Sequence, residues 1–189
     1  ITVNEMLSEQ IIEALKKDEL DVGILVTPLN EKGVFEDILF YEEMQLYVHP
    51  GHPFAKRNDI KSSEIATDKL WLMSEGNCFR TQIINLCDYN LKLEEKKHFK
   101  FESGSLETII NMVNAEGGYT LLPKLATINL NSEGVLKSFV NIKPLREVGL
   151  VFSRTNVKSK LLKLLAKEIK SAVPKNMLEK GNGEIVYWR

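Results

Sequence analysis

The sequence predicts an α/β protein of two subdomains, each built on a mostly parallel sheet. Three observations carry this. Strand-like and helix-like segments alternate along the 189 residues, which favours helical crossovers between parallel strands. Asp21–Val26 is a short, continuous apolar run, the pattern of a strand covered on both faces. Breaks near Leu39–Glu43 and Ile142–Glu147 divide the chain into outer portions and a middle one. The outer portions, 1–40 with 146–189, are read as subdomain I and the middle portion, 41–145, as subdomain II. Two crossing segments join them, and ligands are expected in the cleft between them.

The elements follow in order. Ile1-Thr2-Val3 reads as a strand already under way. Ser8 is placed to N-cap a helix over Glu9–Lys17, its hydroxyl accepting an otherwise unpaired N–H. Ile11, Ile12 and Leu15 share one face of that helix, and Lys16 and Lys17 suit the negative end of its dipole. With Asp21–Val26 this makes a βαβ unit. Phe35–Val48 is rich in strand formers and long enough for a strand, a crossing segment and a second strand; Pro50-Gly51-His52-Pro53 ends it. Lys69–Met73 is a further buried-strand candidate, followed by a loop, Ser74–Asn77, and a helix. Lys96–Phe101 alternates like a half-buried strand, with Phe99 and Phe101 on one side and His98 on the other.

Ser105 then caps a helix carrying Leu106, Ile109, Ile110 and Val113 on one face, and Gly117-Gly118 ends it by permitting left-handed dihedrals. Tyr119–Leu122 is a strand, and Pro123 fits the first turn of a short helix. Gly149–Phe152 is a strand and Lys158–Val173 a leucine-rich helix. In the tail, Pro174–Arg189, the run Ile185-Val186-Tyr187-Trp188 is apolar enough to dock.

Bulk composition narrows function. With 25 basic against 26 acidic side chains and a net charge of −1, the chain itself lacks the basic excess of a nucleic-acid surface. No apolar run approaches the roughly 20 residues of a membrane helix, and no signal peptide opens the chain. Two cysteines are too few for a secreted disulfide scaffold, so a cytoplasmic location is expected, where paired cysteines are more often catalytic or redox-sensing than structural. Both fall in Gly76–Cys87, with Arg80 two residues past Cys78. Two thiols and a cation this close together suggest redox chemistry.

The run Glu107-Thr108 … Met112-Val113 … Gly117-Gly118-Tyr119-Thr120-Leu121-Leu122-Pro123, with Leu20-Asp21-Val22-Gly23-Ile24 after a helix, resembles the effector domain of LysR-type transcriptional regulators. Gly76-Asn77-Cys78-Phe79-Arg80 with Cys87, then His98-Phe99 and Ser105-Leu106-Glu107-Thr108, is similar to the hydrogen-peroxide-sensing members of that family. The resemblance covers nearly the whole chain and weakens in the tail. It implies a periplasmic-binding-protein-like fold of type 2, N-terminally truncated so that its first strand and helix are missing and Ile1 falls near the second strand of the family pattern. It also implies a non-enzymatic, homodimeric domain that forms tetramers in the intact regulator. Promoter DNA and RNA polymerase would be met only through a winged helix-turn-helix absent from this chain. A pocket threonine of the family would lie in the segment before Ile1.

The same resemblance implies roles for individual residues. Cys78 would be the peroxide-reactive thiol, since the nucleophile is a thiolate and helix N-termini and cations favour it; the bland alternative is a small buried hydrophobe. Cys87 would be the resolving thiol, or core packing beside Ile83 and Leu86 in the reduced state. Nine helical steps would separate the two by roughly 13 Å on opposite faces, whereas a disulfide needs Cα atoms about 4.4–6.8 Å apart. Pairing would therefore require the segment to unwind. Arg80 would orient peroxide or stabilise the thiolate and leaving hydroxide, unless it is a solvated helix residue.

Ser8 matches a pocket-lining threonine of the family, or is only an N-cap. His98 matches a histidine near the site, or lies on an exposed strand face. Asn77 stands where the family commonly has a histidine, and Thr81 where it commonly has an aspartate; an amide can donate a hydrogen bond but cannot titrate. No cofactor is implied. A metal site from Cys78, Cys87 and His98 fits no structural zinc spacing. Two other readings stay open: a small-molecule effector domain with incidental cysteines, and a thiol peroxidase, which the lack of a Cys-x-x-Cys motif disfavours.

Overall fold

The computed structural model describes residues 1–65, 69–87, 103–130, 133–153 and 159–189. They form two compact units. The first comprises Ile1–Glu42, Arg146–Gly181 and Arg189; the second comprises Glu43–Leu145 and Asn182–Trp188.

In the first unit, helix α1 spans Ser8–Lys16, and its buried Ile12 and Leu15 lie opposite the exposed charged residues of the same helix. Strand β1, Gly23–Thr27, pairs antiparallel with β5, Pro144–Phe152, in the register Gly23–Val151 to Thr27–Glu147. Helix α5, Ser159–Ala172, completes the unit. The hydroxyl of Thr27 donates to the buried carboxylate of Glu147 at 2.8 Å, giving that carboxylate one of the partners its burial requires.

The second unit packs around Met44, Leu46 and Val48 of β2, Phe35–Val48. On one side β2 pairs antiparallel with β3, Tyr119–Pro123; on the other it pairs with β4, Val135–Lys137. Helix α2 is Cys78–Cys87 and α3 is Leu106–Glu116. The short helix α4, Lys124–Thr127, follows β3 directly. A two-residue strand, β6 at Glu184–Ile185, pairs parallel with Pro144 and Leu145. The cap of α3 is formed as the sequence expects: the Ser105 hydroxyl accepts the Thr108 N–H at 3.4 Å, and Gly117 ends the helix at φ 78°.

Several sequence expectations are corrected. Residues 1–7 form no strand and are exposed, and without a partner ladder the opening βαβ unit is absent. Ser8 is the first residue of α1 and is buried, not its cap. The Leu7 N–H is taken instead by the side chain of Gln10, at 3.1 Å, a reach-back that glutamine at the third helical position makes readily. Phe35–Val48 is one continuous strand that runs from the first unit into the second.

Lys69–Met73 contributes only an isolated bridge, Leu70 with Tyr119, because Lys69 sits at φ 66° and breaks extended backbone. β1 is not covered on both faces, since Ile24 is half exposed. The pairs β1–β5, β2–β3 and β2–β4 are antiparallel, whereas β5–β6 and the Leu70 bridge are parallel. The reason lies in the chain's course: β2 carries it into the second unit and β5 carries it back, so no helical crossover sets their direction. Residues 182–188, assigned from sequence to the first subdomain, belong to the second unit, where Val186 joins the core. The expected strand Lys96–Phe101 lies outside the described residues.

Candidate functional site

Helix α2 gathers five of the seven residues singled out from the sequence: Asn77 at its approach, then Cys78, Arg80, Thr81 and Cys87. Its start follows from local chemistry. The side-chain oxygen of Asn77 accepts the Phe79 N–H at 2.9 Å, satisfying one of the donors every helix leaves unpaired in its first turn. The Thr81 N–H reaches the Asn77 carbonyl at 3.4 Å, and Thr81 itself is half-buried. Gly76, at φ 81°, makes the turn into this cap.

Cys78 is the first helical residue, partly exposed, with a free thiol. The helix begins there, so Cys78 sits at the positive end of its dipole. Cys87 is the last helical residue, also a free thiol but buried among Ile83, Phe79 and Val186. Burial pushes its thiol up to about 12, so at neutral pH it is protonated and not a nucleophile. The two thiols therefore differ in access, at opposite ends of one ten-residue helix. At about 1.5 Å per residue their Cα atoms stand roughly 13 Å apart, beyond the reach of a disulfide.

Arg80 is not the solvated residue its bland alternative supposes. It is buried, and its Nη1 donates to the Met73 carbonyl at 3.1 Å, so the guanidinium turns back toward the strand-like segment before the loop. Ser8 lies in the first unit, on α1. His98 lies outside the described residues. Among the described residues no helix is long and apolar enough to cross a membrane.

Sequence reasoning passed over Gln82. It has no exposed surface, its Nε2 donates to the Val186 carbonyl at 2.6 Å, and its Oε1 has no partner among the described residues. The signal was available: a polar residue beside Ile83 and four positions after Cys78, on the face that α2 turns inward.

Comparison with known proteins bears on this arrangement. A family model described as the LysR substrate binding domain matches residues 1–174. The DNA-binding transcriptional dual regulator OxyR of Escherichia coli (strain K12) is 33% identical over 152 residues, 79% of this chain and 49% of its own length. The crystal structure of OxyR from Porphyromonas gingivalis superposes with a TM-score of 0.86 at 28% identity, covering 98% of this chain and 85% of that one. Crystal structures of the reduced and oxidized forms of OxyR, each 29% identical, give TM-scores of 0.73 and 0.69; they cover 89% and 88% of this chain and 78% of each of theirs. The chain spans about half the length, or less, of the curated relatives it matches.

Proposed function

The chain belongs to the LysR substrate binding domain family, and we propose that it is the peroxide-sensing regulatory domain of a transcription factor of that kind. The observation that carries this reading is the pair of free cysteines at the two ends of α2, one accessible and one buried. Relatives named as hydrogen peroxide-inducible genes activators support it. In the first step the Cys78 thiolate attacks one oxygen of hydrogen peroxide. The S–O bond forms, the O–O bond breaks, and hydroxide leaves to become water, giving a sulfenic acid. In the second, the Cys87 sulfur attacks the Cys78 sulfur; the S–S bond forms, the S–O bond breaks, and a second water leaves. Two thiols are oxidised by two electrons and one peroxide is reduced to two waters.

Arg80, Asn77, Thr81, Ser8 and His98 are the proposed pocket residues. Arg80 has the charge to stabilise the departing hydroxide, and Asn77 holds the helix start that presents Cys78. The second step requires α2 to open, because its helical and disulfide-linked forms exclude each other. That local rebuilding is the proposed signal. A homodimer, tetrameric in the intact regulator, would relay it to promoter DNA and RNA polymerase through a winged helix-turn-helix outside this chain, in the cytoplasm and without a catalytic cycle.

The test is direct. Reduced protein is treated with stoichiometric peroxide and its disulfides are mapped by mass spectrometry. A Cys78–Cys87 link is expected, and it is lost in Cys78→Ser. Absence of the link, with Cys78→Ser consuming peroxide as fast as the parent, overturns the reading. Thermal stabilisation by a small organic ligand, with no conformational response to oxidation, would instead mark an inducer-binding domain.

A further inference from the structure

We infer that the C-terminal segment Glu184–Trp188 is a latch on α2, and that Gln82 and Asn85 are the positioning residues through which it sets how readily Cys87 reaches Cys78. The consequence for oxidation rests on the peroxide-sensing reading; the latch itself does not.

Helix α2 cannot hold itself. Its ten residues, Cys-Phe-Arg-Thr-Gln-Ile-Ile-Asn-Leu-Cys, fall short of the roughly 12–15 that make even a good isolated helix marginal. Only Arg80, Gln82 and Leu86 are strong helix formers. It also buries an acceptor, Gln82 Oε1, that has no partner among the described residues, which opposes the helical form. Its stability must come from what it touches.

Two of those contacts reach one short segment. Gln82 and Asn85 lie three apart, on one face of the helix. Each turns an amide N–H to a backbone carbonyl: Gln82 Nε2 to Val186 at 2.6 Å, and Asn85 Nδ2 to Tyr187 at 2.9 Å. The segment is itself anchored to β5 and the residue before it, with the Glu184 N–H on the Lys143 carbonyl and the Val186 N–H on the Leu145 carbonyl, both at 2.9 Å. Val186 thus spends its N–H on the strand and its carbonyl on the helix, while its side chain belongs to the same buried core cluster as Phe79, Ile83 and Cys87. Beside the Asn85–Tyr187 bond lies an open groove of about 370 Å³, bordered also by Leu86 and Glu184. Close packing does not seal that edge, so the two amide bonds hold it.

Opening α2 far enough to bring the thiols together breaks both bonds. The latch therefore acts on disulfide formation, not on the attack of Cys78 on peroxide. Coupling is reciprocal, so a chain fixed in the disulfide form has lost the contacts that hold 184–188.

The experiment uses the full chain, reduced, with Asn85→Ala, whose exposed site tolerates truncation, and Gln82→Met. Amide exchange of residues 83–87 is measured without oxidant. Sulfenic acid formation (dimedone trapping) and Cys78–Cys87 linkage (quenched mass spectrometry) are then timed after peroxide. Losing one such bond should speed exchange and linkage about threefold to tenfold, with sulfenic acid formation unchanged. Asn85→Asp, which cannot donate, should match Asn85→Ala, and Asn85→Gln should restore part of the parent rate. Unchanged exchange in Asn85→Ala, or equal acceleration of both chemical steps, overturns the latch. If the parent forms no disulfide, the peroxide reading fails alone: faster exchange in Asn85→Ala still upholds the latch, and unchanged exchange rejects it.

Discussion

Cys87 illustrates how a single burial decides chemistry. Packed among apolar side chains, its thiol is held protonated up to about 12 against an ordinary value of 9.0, because an interior site penalises the thiolate. Below about 9 the thiol is neutral in both folded and unfolded chains, and its contribution to stability is fully present. Between 9 and about 12 the unfolded chain loses a proton that the folded chain keeps, so stability falls as pH rises. Denaturant unfolding of reduced protein across that window should show a steeper alkaline loss for the parent than for Cys87→Ala. At pH 8 the folded site carries roughly a thousandfold less thiolate than an unfolded one, so alkylation should mark Cys78 first and Cys87 only through opening of α2. Equal labelling of the two would contradict the burial described here.

At the scale of the element, α2 is a short helix poised between two sets of contacts. Its start depends on Asn77, whose side chain caps the first turn. Asn77→Ala should weaken the helix by about 1 kcal/mol, seen as about fivefold faster exchange of the amides after Cys78. Asn77→Ser, which keeps a capping oxygen, should stay near the parent. If both variants behave like the parent, the cap is not what sets the helix start. Much of this element was legible in advance. The spacing of Cys78 and Cys87 and the apolar positions between them are local features, written within ten residues of one another, whereas the Asn77 cap came from the structure. Burial of Arg80 was not legible, since its partner is a backbone carbonyl at Met73 and no side-chain pattern announces a carbonyl. Nor was the fate of Lys69–Met73, where one left-handed residue reduced a strand-like run to a bridge.

At the scale of the whole molecule, α2 and the segment 182–188 belong to the same unit, while the β1–β5 ladder belongs to the other. Oxidation should therefore raise exchange in 78–87 and 184–188 and leave the amides of Gly23–Thr27 and Val148–Val151 as they were. A change confined to the first unit would show that the switch lies elsewhere. The division of the chain reflects β2 and β5, each of which runs from one unit into the other. From sequence Phe35–Val48 reads as two strands joined by a crossing segment and only Gly149–Phe152 of β5 reads as strand, because a long strand that changes environment midway alternates poorly.

The sequence by itself determined the α/β class, the placement of most helices, and a ten-residue helix whose two terminal thiols cannot meet without unwinding it. These follow from periodicity, capping chemistry and helix rise, which act over one or two turns. Only the tertiary structure decided that the described strands meet mainly antiparallel, that Arg80 and Gln82 are buried, and that residues 184–188 close on α2. Those outcomes depend on hydrogen bonds such as Gln82 to Val186 and Asn85 to Tyr187, which span 104 and 102 residues. Their acceptors are backbone carbonyls that every residue carries, so only the folded path of the chain says which ones are used.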